Sequence, residues 1–212
     1  MPPLLLGHRG ARATKHTPEN TLASFDLCLH HGCDGFEFDV RRSADGAAVI
    51  CHDPIIRGLA IESTPAKTLA QPTLEQVLRQ FSSRAFLDIE LKVPGLENQL
   101  QAALQKHPPE KDYVVSSFLP EVLTAVHEAD ASIPLGFLWD EPSIQPPQQL
   151  PIAWLIPRLD FLTKEQVDRA HAAHQKVMVW TVNRPDEMLF MSDWGVDAII
   201  SDDTELLVRS LC

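Results

Sequence analysis

With 212 residues, 44% of them hydrophobic, the chain fits a single domain over residues 1–212 with a substantial core. Its formal net charge of −11 disfavours nucleic acid and anionic membrane surfaces as partners, so an anionic ligand must be met by a local cationic site. No apolar run reaches the roughly 18 residues needed to cross a bilayer. The uncharged start Met1-Pro2-Pro3-Leu4-Leu5-Leu6 lacks the form of a signal peptide, and Cys28, Cys33, Cys51 and Cys212 lack paired zinc spacing; a cytoplasmic protein with reduced thiols is expected.

Leu4-Leu5-Leu6-Gly7 reads as a short buried strand ending in His8-Arg9-Gly10. Thr17 can cap a helix with Pro18 at its first position, Glu19 in its first turn, and a stripe of Leu22, Phe25 and Leu29. Gly32 stops this helix, and His30 and His31 read as exposed residues facing its negative end. In the strand Gly35–Val40, Glu37 and Asp39 alternate with apolar residues and so share one face. Asp45-Gly46 signals a hairpin, and a two-residue turn there sets His52 directly opposite Asp39, roughly 5 Å away at the Cβ atoms.

Residues 54–72 read as irregular, with breakers at Pro65 and Pro72. A helix follows to Phe81, opened by a capping box of Thr73 and Gln76. The strand Ala85–Lys92 places Asp88, Glu90 and Lys92 on one face, and Leu96, Leu100 and Leu104 mark the next helix. A strand at 113–117, a helix at 120–129 and a strand at 135–139 come next. The four prolines Pro142, Pro146, Pro147 and Pro151 then allow at most a minimal helix. Strands near 153–156, 177–182 and 198–201 alternate with helices at 164–174, 185–194 and from Thr204, the last with Asp202 and Glu205 as a capping pair. Eight such alternations predict a (β/α)8 TIM barrel with a β-hairpin extension after the second strand and a short insertion behind it.

In such a barrel the strand carboxyl ends meet in one mouth. His8, Arg9, Glu37, Asp39, Glu90 and Lys92 fall there. Three carboxylates suit one hard divalent cation, Mg²⁺ or Ca²⁺; the alternative is an ion-pair network in which Arg9 and Lys92 satisfy the acids without metal. His8 and His52 suit paired general acid and base work, and Arg9 and Lys92 suit charge on a phosphoryl group. Trp180 and Phe118 fit either core filling or the pocket wall.

These residues resemble the glycerophosphodiester phosphodiesterases. The matching blocks are His8-Arg9-Gly10, Pro18-Glu19-Asn20-Thr21, Glu37-Phe38-Asp39-Val40, Asp45-Gly46 with Val49 to Asp53, and Ile89-Glu90-Leu91-Lys92. Ser117-Phe118, Trp180 to Asn183, Gly195-Val196-Asp197 and Ser201-Asp202 continue the match. The resemblance implies a barrel that hydrolyses glycerophosphodiesters, a small-molecule substrate, to glycerol 3-phosphate and an alcohol with one divalent cation. It implies metal ligands at Glu37, Asp39 and Glu90, an acid–base pair at His8 and His52, phosphate contacts from Arg9 and Lys92, and a pocket wall of Phe118 and Trp180. Two departures stand out: only about 20 residues separate His52 from Thr73, and Asp202-Asp203-Thr204 replaces the usual Asp-x-Pro. The shortened insertion leaves a lysophospholipase D-type substrate, or another headgroup, as the alternative. A silent binding barrel is the reading that loss of a site residue would favour, and all seven polar site residues are present.

Overall fold

The computed structural model describes residues 2–141, 144 and 146–212; Met1 and Pro142, both named above, lie outside the described residues. Strand β1 (Leu4–His8) leads into a loop, and helix α1 (Leu22–His30) starts later than a Thr17 cap predicts. Thr21 is the cap, its hydroxyl accepting from Ser24 N at 3.2 Å. The preceding residues are taken up by the site: Asn20 has φ 57° and its side chain bonds Asp39, while Glu19 bonds Arg9. His30 is exposed, but His31 is half-buried with Nδ1 2.7 Å from Thr204 Oγ1.

Strands β2 (Gly35–Arg42) and β3 (Ala48–Ile50) form the expected hairpin in a register one residue away from the expected one, with Val40 facing Ile50. The turn holds three residues instead of two. Ser43 N donates to Ala47 O at 3.0 Å, Gly46 N donates to Ser43 O at 2.9 Å, and Gly46 closes the loop with φ 80°. The Ser43 hydroxyl stabilises this form by donating to Asp45 Oδ1 at 2.6 Å. Asp39 therefore lies opposite Cys51, whose N–H donates to Asp39 O at 3.0 Å, and not opposite His52. Cys51 packs with Val49, Ile61 and Leu69, and His52 reaches the mouth because the ladder ends before it. Arg41 Nε holds that bend by donating to His52 O at 2.6 Å.

Residues 54–72 are more ordered than expected. Strands β4 (Ile55–Ile56) and β5 (Leu59–Ala60) pair antiparallel about Arg57 and Gly58, whose φ values of 50° and 78° suit a tight two-residue turn. A 3₁₀ turn at Ile61–Ser63 and helix α2 (Ala66–Leu69) follow. Helix α3 (Leu74–Phe81) opens with the expected Thr73–Gln76 capping box.

The remaining elements come in the expected order: β6 (Phe86–Leu91), α4 (Glu97–Lys106), β7 (Tyr113–Ser117), α5 (Pro120–Ala129), β8 (Leu135–Trp139) and β9 (Ile152–Pro157). Then come α6 (Lys164–Ala172), β10 (Lys176–Val179), α7 (Pro185–Trp194), β11 (Ala198–Ser201) and α8 (Thr204–Leu211). Thr163 and Gln166 form the capping box of α6, and Gly195, with φ 78°, ends α7. The described residues between β8 and β9 carry no helix, as the prolines require. Asp203, not Asp202, caps α8, its Oδ1 accepting from Leu206 N at 2.9 Å; Asp202 is turned elsewhere.

The sheet runs β1-β11-β10-β9-β8-β7-β6-β2-β3 and closes through β1–β2, so with β3 set aside eight parallel strands form a barrel. The barrel interior holds Leu6, Phe86, Val114, Trp154, Met178 and Ala198. A second apolar layer lies under the helices, where Phe25 stacks on Phe36 at 4.2 Å. Where β2 passes β6 the fit is close: a Cβ on Gly35 would fall 2.0 Å from Phe86 O. Among the described residues no helix is long and apolar enough to cross a membrane.

Candidate active site

Strand register builds the charged part of the mouth. β1 and β2 place His8 beside Glu37, and β2 and β6 place Asp39 beside Glu90. Glu37, Asp39 and Glu90 are 4%, 1% and 6% exposed, which makes three charges this close costly unless they are paired or bridged by a cation. One carboxylate oxygen from each lies within 4.8 Å of the other two, the only such metal-capable cluster among the described residues.

The chain turns sharply after β1, with φ 55° at Arg9 and 81° at Gly10. This turn lets the Arg9 N–H donate to Glu37 Oε2 at 3.0 Å. The Arg9 side chain lies between Asp39 (Nε to Oδ2, 3.3 Å) and Glu19 (Nη1 to Oε1, 2.8 Å). Lys92 Nζ sits 2.6 Å from Glu90 Oε1 and 3.4 Å from Asp39 Oδ1, and Asn20 Nδ2 donates to Asp39 Oδ2 at 2.7 Å. Even so, Glu37 Oε1 is buried without a hydrogen bond, and the single Lys92 ammonium is shared between Asp39 Oδ1 and Glu90 Oε1.

The titration of these groups follows from that arrangement. Burial pushes Glu37 well above the usual carboxylate range, helped by Asp39 and Glu90. Glu90 is pushed up to about 8, by burial first and by Asp39 next. Burial would raise Asp39 too, but Lys92, Arg9 and Asn20 outweigh it and hold the group below its ordinary value. One carboxylate of the three is thus stabilised as an anion by the protein alone, while the other two lack sufficient positive charge.

Both histidines face the same cavity. His8 Nδ1 lies 2.7 Å from Asp202 Oδ1, and its Nε2 is 3.9 Å from Glu37 Oε2. His52 Nδ1 lies 2.7 Å from Asp53 Oδ1. Burial lowers the His52 pKa, and the nearby Asp39 and Asp53 carboxylates only partly offset this. The cavity is about 110 Å³ and is lined on its other side by Phe118, Leu138, Trp180 and Ile200. Phe118 and Trp180 meet edge to face at 5.6 Å, Trp180 Nε1 donates to Ile156 O at 2.9 Å, and Lys92 Nζ lies 5.5 Å from the Phe118 ring centre.

The structure thus brings together all nine residues singled out in the sequence, with Asp39 just beneath the cavity wall. The supporting residues were not singled out. Glu19, Asn20, Asn183 and Asp202 fall inside the blocks that carry the resemblance, yet the local pattern assigns Glu19 to the first turn of a helix and Asp202 to the cap of the last helix, and Arg12 carries no local signal. Asp202 binds His8, Arg12 (Nη1 to Oδ1, 3.0 Å) and Asn183 (Nδ2 to Oδ2, 2.7 Å). A second capping threonine, Thr21, four positions after Thr17, and the doubled Asp202-Asp203 are the signals that leave Glu19, Asn20 and Asp202 free for other partners. Asp88, also buried, donates nothing to the cavity; its Oδ1 accepts from Ser116 Oγ at 2.6 Å.

Comparison with known proteins gives a consistent result. The model of the glycerophosphoryl diester phosphodiesterase family matches residues 8–108 and 62–206. The glycerophosphodiester phosphodiesterase of Bacillus altitudinis is 30% identical, over 97% of this chain and 96% of its own. That of Caldanaerobacter subterraneus subsp. tengcongensis is 29% identical, over 99% and 98%. Among solved structures, a phosphodiesterase of Oleispira antarctica in complex with the product sn-glycerol-3-phosphate superposes with a TM-score of 0.86 at 27% identity, covering 99% of this chain and 96% of that one.

Proposed function

The chain belongs to the glycerophosphoryl diester phosphodiesterase family, a family of phosphoric diester hydrolases, and from that premise we propose that it is a single catalytic domain hydrolysing glycerophosphodiesters to glycerol 3-phosphate and an alcohol. The observation that carries this reading is the mouth itself, where three buried carboxylates, two cationic side chains and two imidazoles surround one cavity.

The clustered carboxylates, among them Glu37 Oε1 with no hydrogen bond, form an oxygen donor set suited to Mg²⁺ or Ca²⁺, with Glu37, Asp39 and Glu90 as the ligands. When bound, the cation neutralises charge on the phosphoryl oxygens. Arg9 and Lys92 orient the phosphate from the protein side and keep their positions through Asp39, Glu19 and Glu90. His8 and His52 divide the proton transfers: one accepts the proton of the attacking oxygen and the other protonates the leaving alcohol. Phe118 and Trp180 shape the side of the cavity that receives the glycerol or alcohol moiety and keep water from it.

A lysophospholipase D-type substrate is the second reading. It is favoured by the exposed Ile55 and Leu59 of the β4–β5 hairpin, which begins two residues after Asp53. The test is release of glycerol 3-phosphate from glycerophosphocholine and glycerophosphoethanolamine, with lysophosphatidylcholine in parallel. Preference for the first two supports the main reading, and turnover of lysophosphatidylcholine alone supports the second.

A further inference from the structure

We infer that Asp202 is a positioning residue that holds His8 in one tautomer, with the proton on Nδ1 and Nε2 left facing the carboxylate cluster. The argument starts from what surrounds Asp202. Its Oδ1 lies 2.7 Å from His8 Nδ1 and 3.0 Å from Arg12 Nη1, and its Oδ2 accepts from Asn183 Nδ2 at 2.7 Å. Its backbone N–H donates to Asn183 Oδ1 at 2.9 Å, so Asn183 grips residue 202 by both backbone and side chain. A carboxylate among such donors is an acceptor only, and a 2.7 Å contact with a ring nitrogen then requires the hydrogen to sit on that nitrogen. Arg12 Nη1 is also 3.4 Å from Nδ1, but its closer partner is Asp202 Oδ1.

The second ring nitrogen points the other way, 3.9 Å from Glu37 Oε2 at the edge of the cavity. Fixing Nδ1–H makes Nε2 the atom that exchanges a proton with a bound substrate. Local structure makes this possible: because Asp203 caps α8, Asp202 is free to face β1. His52 has no equivalent support. Its partner Asp53 is the adjacent residue, with a side chain 73% exposed.

This inference rests on the reading of His8 as a proton-transfer group, and the experiment separates the two. The His8 tautomer is read by ¹⁵N NMR on cation-free protein at a pH where the ring is neutral, in wild type and in Asp202→Asn. Steady-state kinetics on glycerophosphocholine are measured for Asp202→Asn, His8→Ala and the double variant. Wild-type His8 is expected as the Nδ1–H form and Asp202→Asn as a mixture. The kcat of Asp202→Asn should fall about 10²-fold with KM within threefold, and adding it to His8→Ala should change nothing further. A wild-type Nε2–H form overturns the inference whether or not the variant folds. So does an Asp202→Asn loss that adds fully to that of His8→Ala, or one confined to KM. Full activity of His8→Ala would instead remove the reading of His8 on which the inference rests.

Discussion

Strands β1, β2 and β6 bring His8, Arg9, Glu37, Asp39, Glu90 and Lys92 to one side of the mouth, whereas β8, β10 and β11 lead to Leu138, Trp180 and Ile200 on the other. In the charged half each group depends on a partner: Asp39 alone is approached by Arg9, Lys92 and Asn20. In the apolar half the contacts are ring edges and aliphatic carbons, which set shape and not charge. The charged half should therefore govern the chemical step, and the apolar half should govern which alcohol is accepted.

The largest break in that comparison is expected from His52→Ala. It should lower kcat at least about 10³-fold while leaving the melting temperature nearly unchanged, since the His52 side chain is 34% exposed and among the described residues bonds Asp53 alone. Kinetics and thermal melting on the same sample check this, and retained turnover would remove His52 from the acid–base pair. Asp39→Ala should inactivate as well, but with a loss of stability of about 1–3 kcal/mol, because Arg9 and Lys92 lose their shared anion and keep only Glu19 and Glu90. Urea unfolding measures that loss.

Cation-free protein should lose stability as pH rises. Glu90 is pushed up to about 8 from an ordinary 4.5, so between these values the folded chain holds a proton that the unfolded chain has released. Stability is then full below the lower value and declines through the window, and the melting temperature should be about 5 °C or more lower near pH 9 than near pH 5. A divalent cation should restore more stability at the higher pH, where its ligands are deprotonated. The smallest effect is expected in the other half. Phe118→Ala should raise KM about tenfold with kcat within a few-fold and should change the ratio of choline to ethanolamine substrates. An equal fall in kcat would mean that the ring supports Lys92, 5.5 Å away, more than it supports the alcohol.

The two halves also differ in how legible they were. The charged residues stood out because a strand that alternates apolar and acidic side chains, as at Glu37–Asp39 and Asp88–Glu90, is hard to explain as a plain barrel wall. Capping boxes at Thr73 and Thr163 were readable because both partners lie within one turn. What escaped the sequence involves a choice between neighbours. Thr17 and Thr21 are both good caps, as are Asp202 and Asp203, and distant partners decide: Asp39 claims Asn20, and His8 claims Asp202. Likewise Asp45-Gly46 suits both two- and three-residue turns, and the Ser43 hydroxyl tips the balance to the longer one, moving His52 out of register with Asp39.

The central claim is that the charged half holds a divalent cation used in phosphodiester hydrolysis. It is tested most directly by glycerol 3-phosphate release from glycerophosphocholine in EDTA, Mg²⁺ or Ca²⁺, comparing the wild-type chain with Glu37→Gln. The account predicts release that is abolished by EDTA, restored by one of the cations in the wild type, and not restored at the same concentration in Glu37→Gln. Undiminished release in EDTA, or equal restoration in the variant, would contradict it.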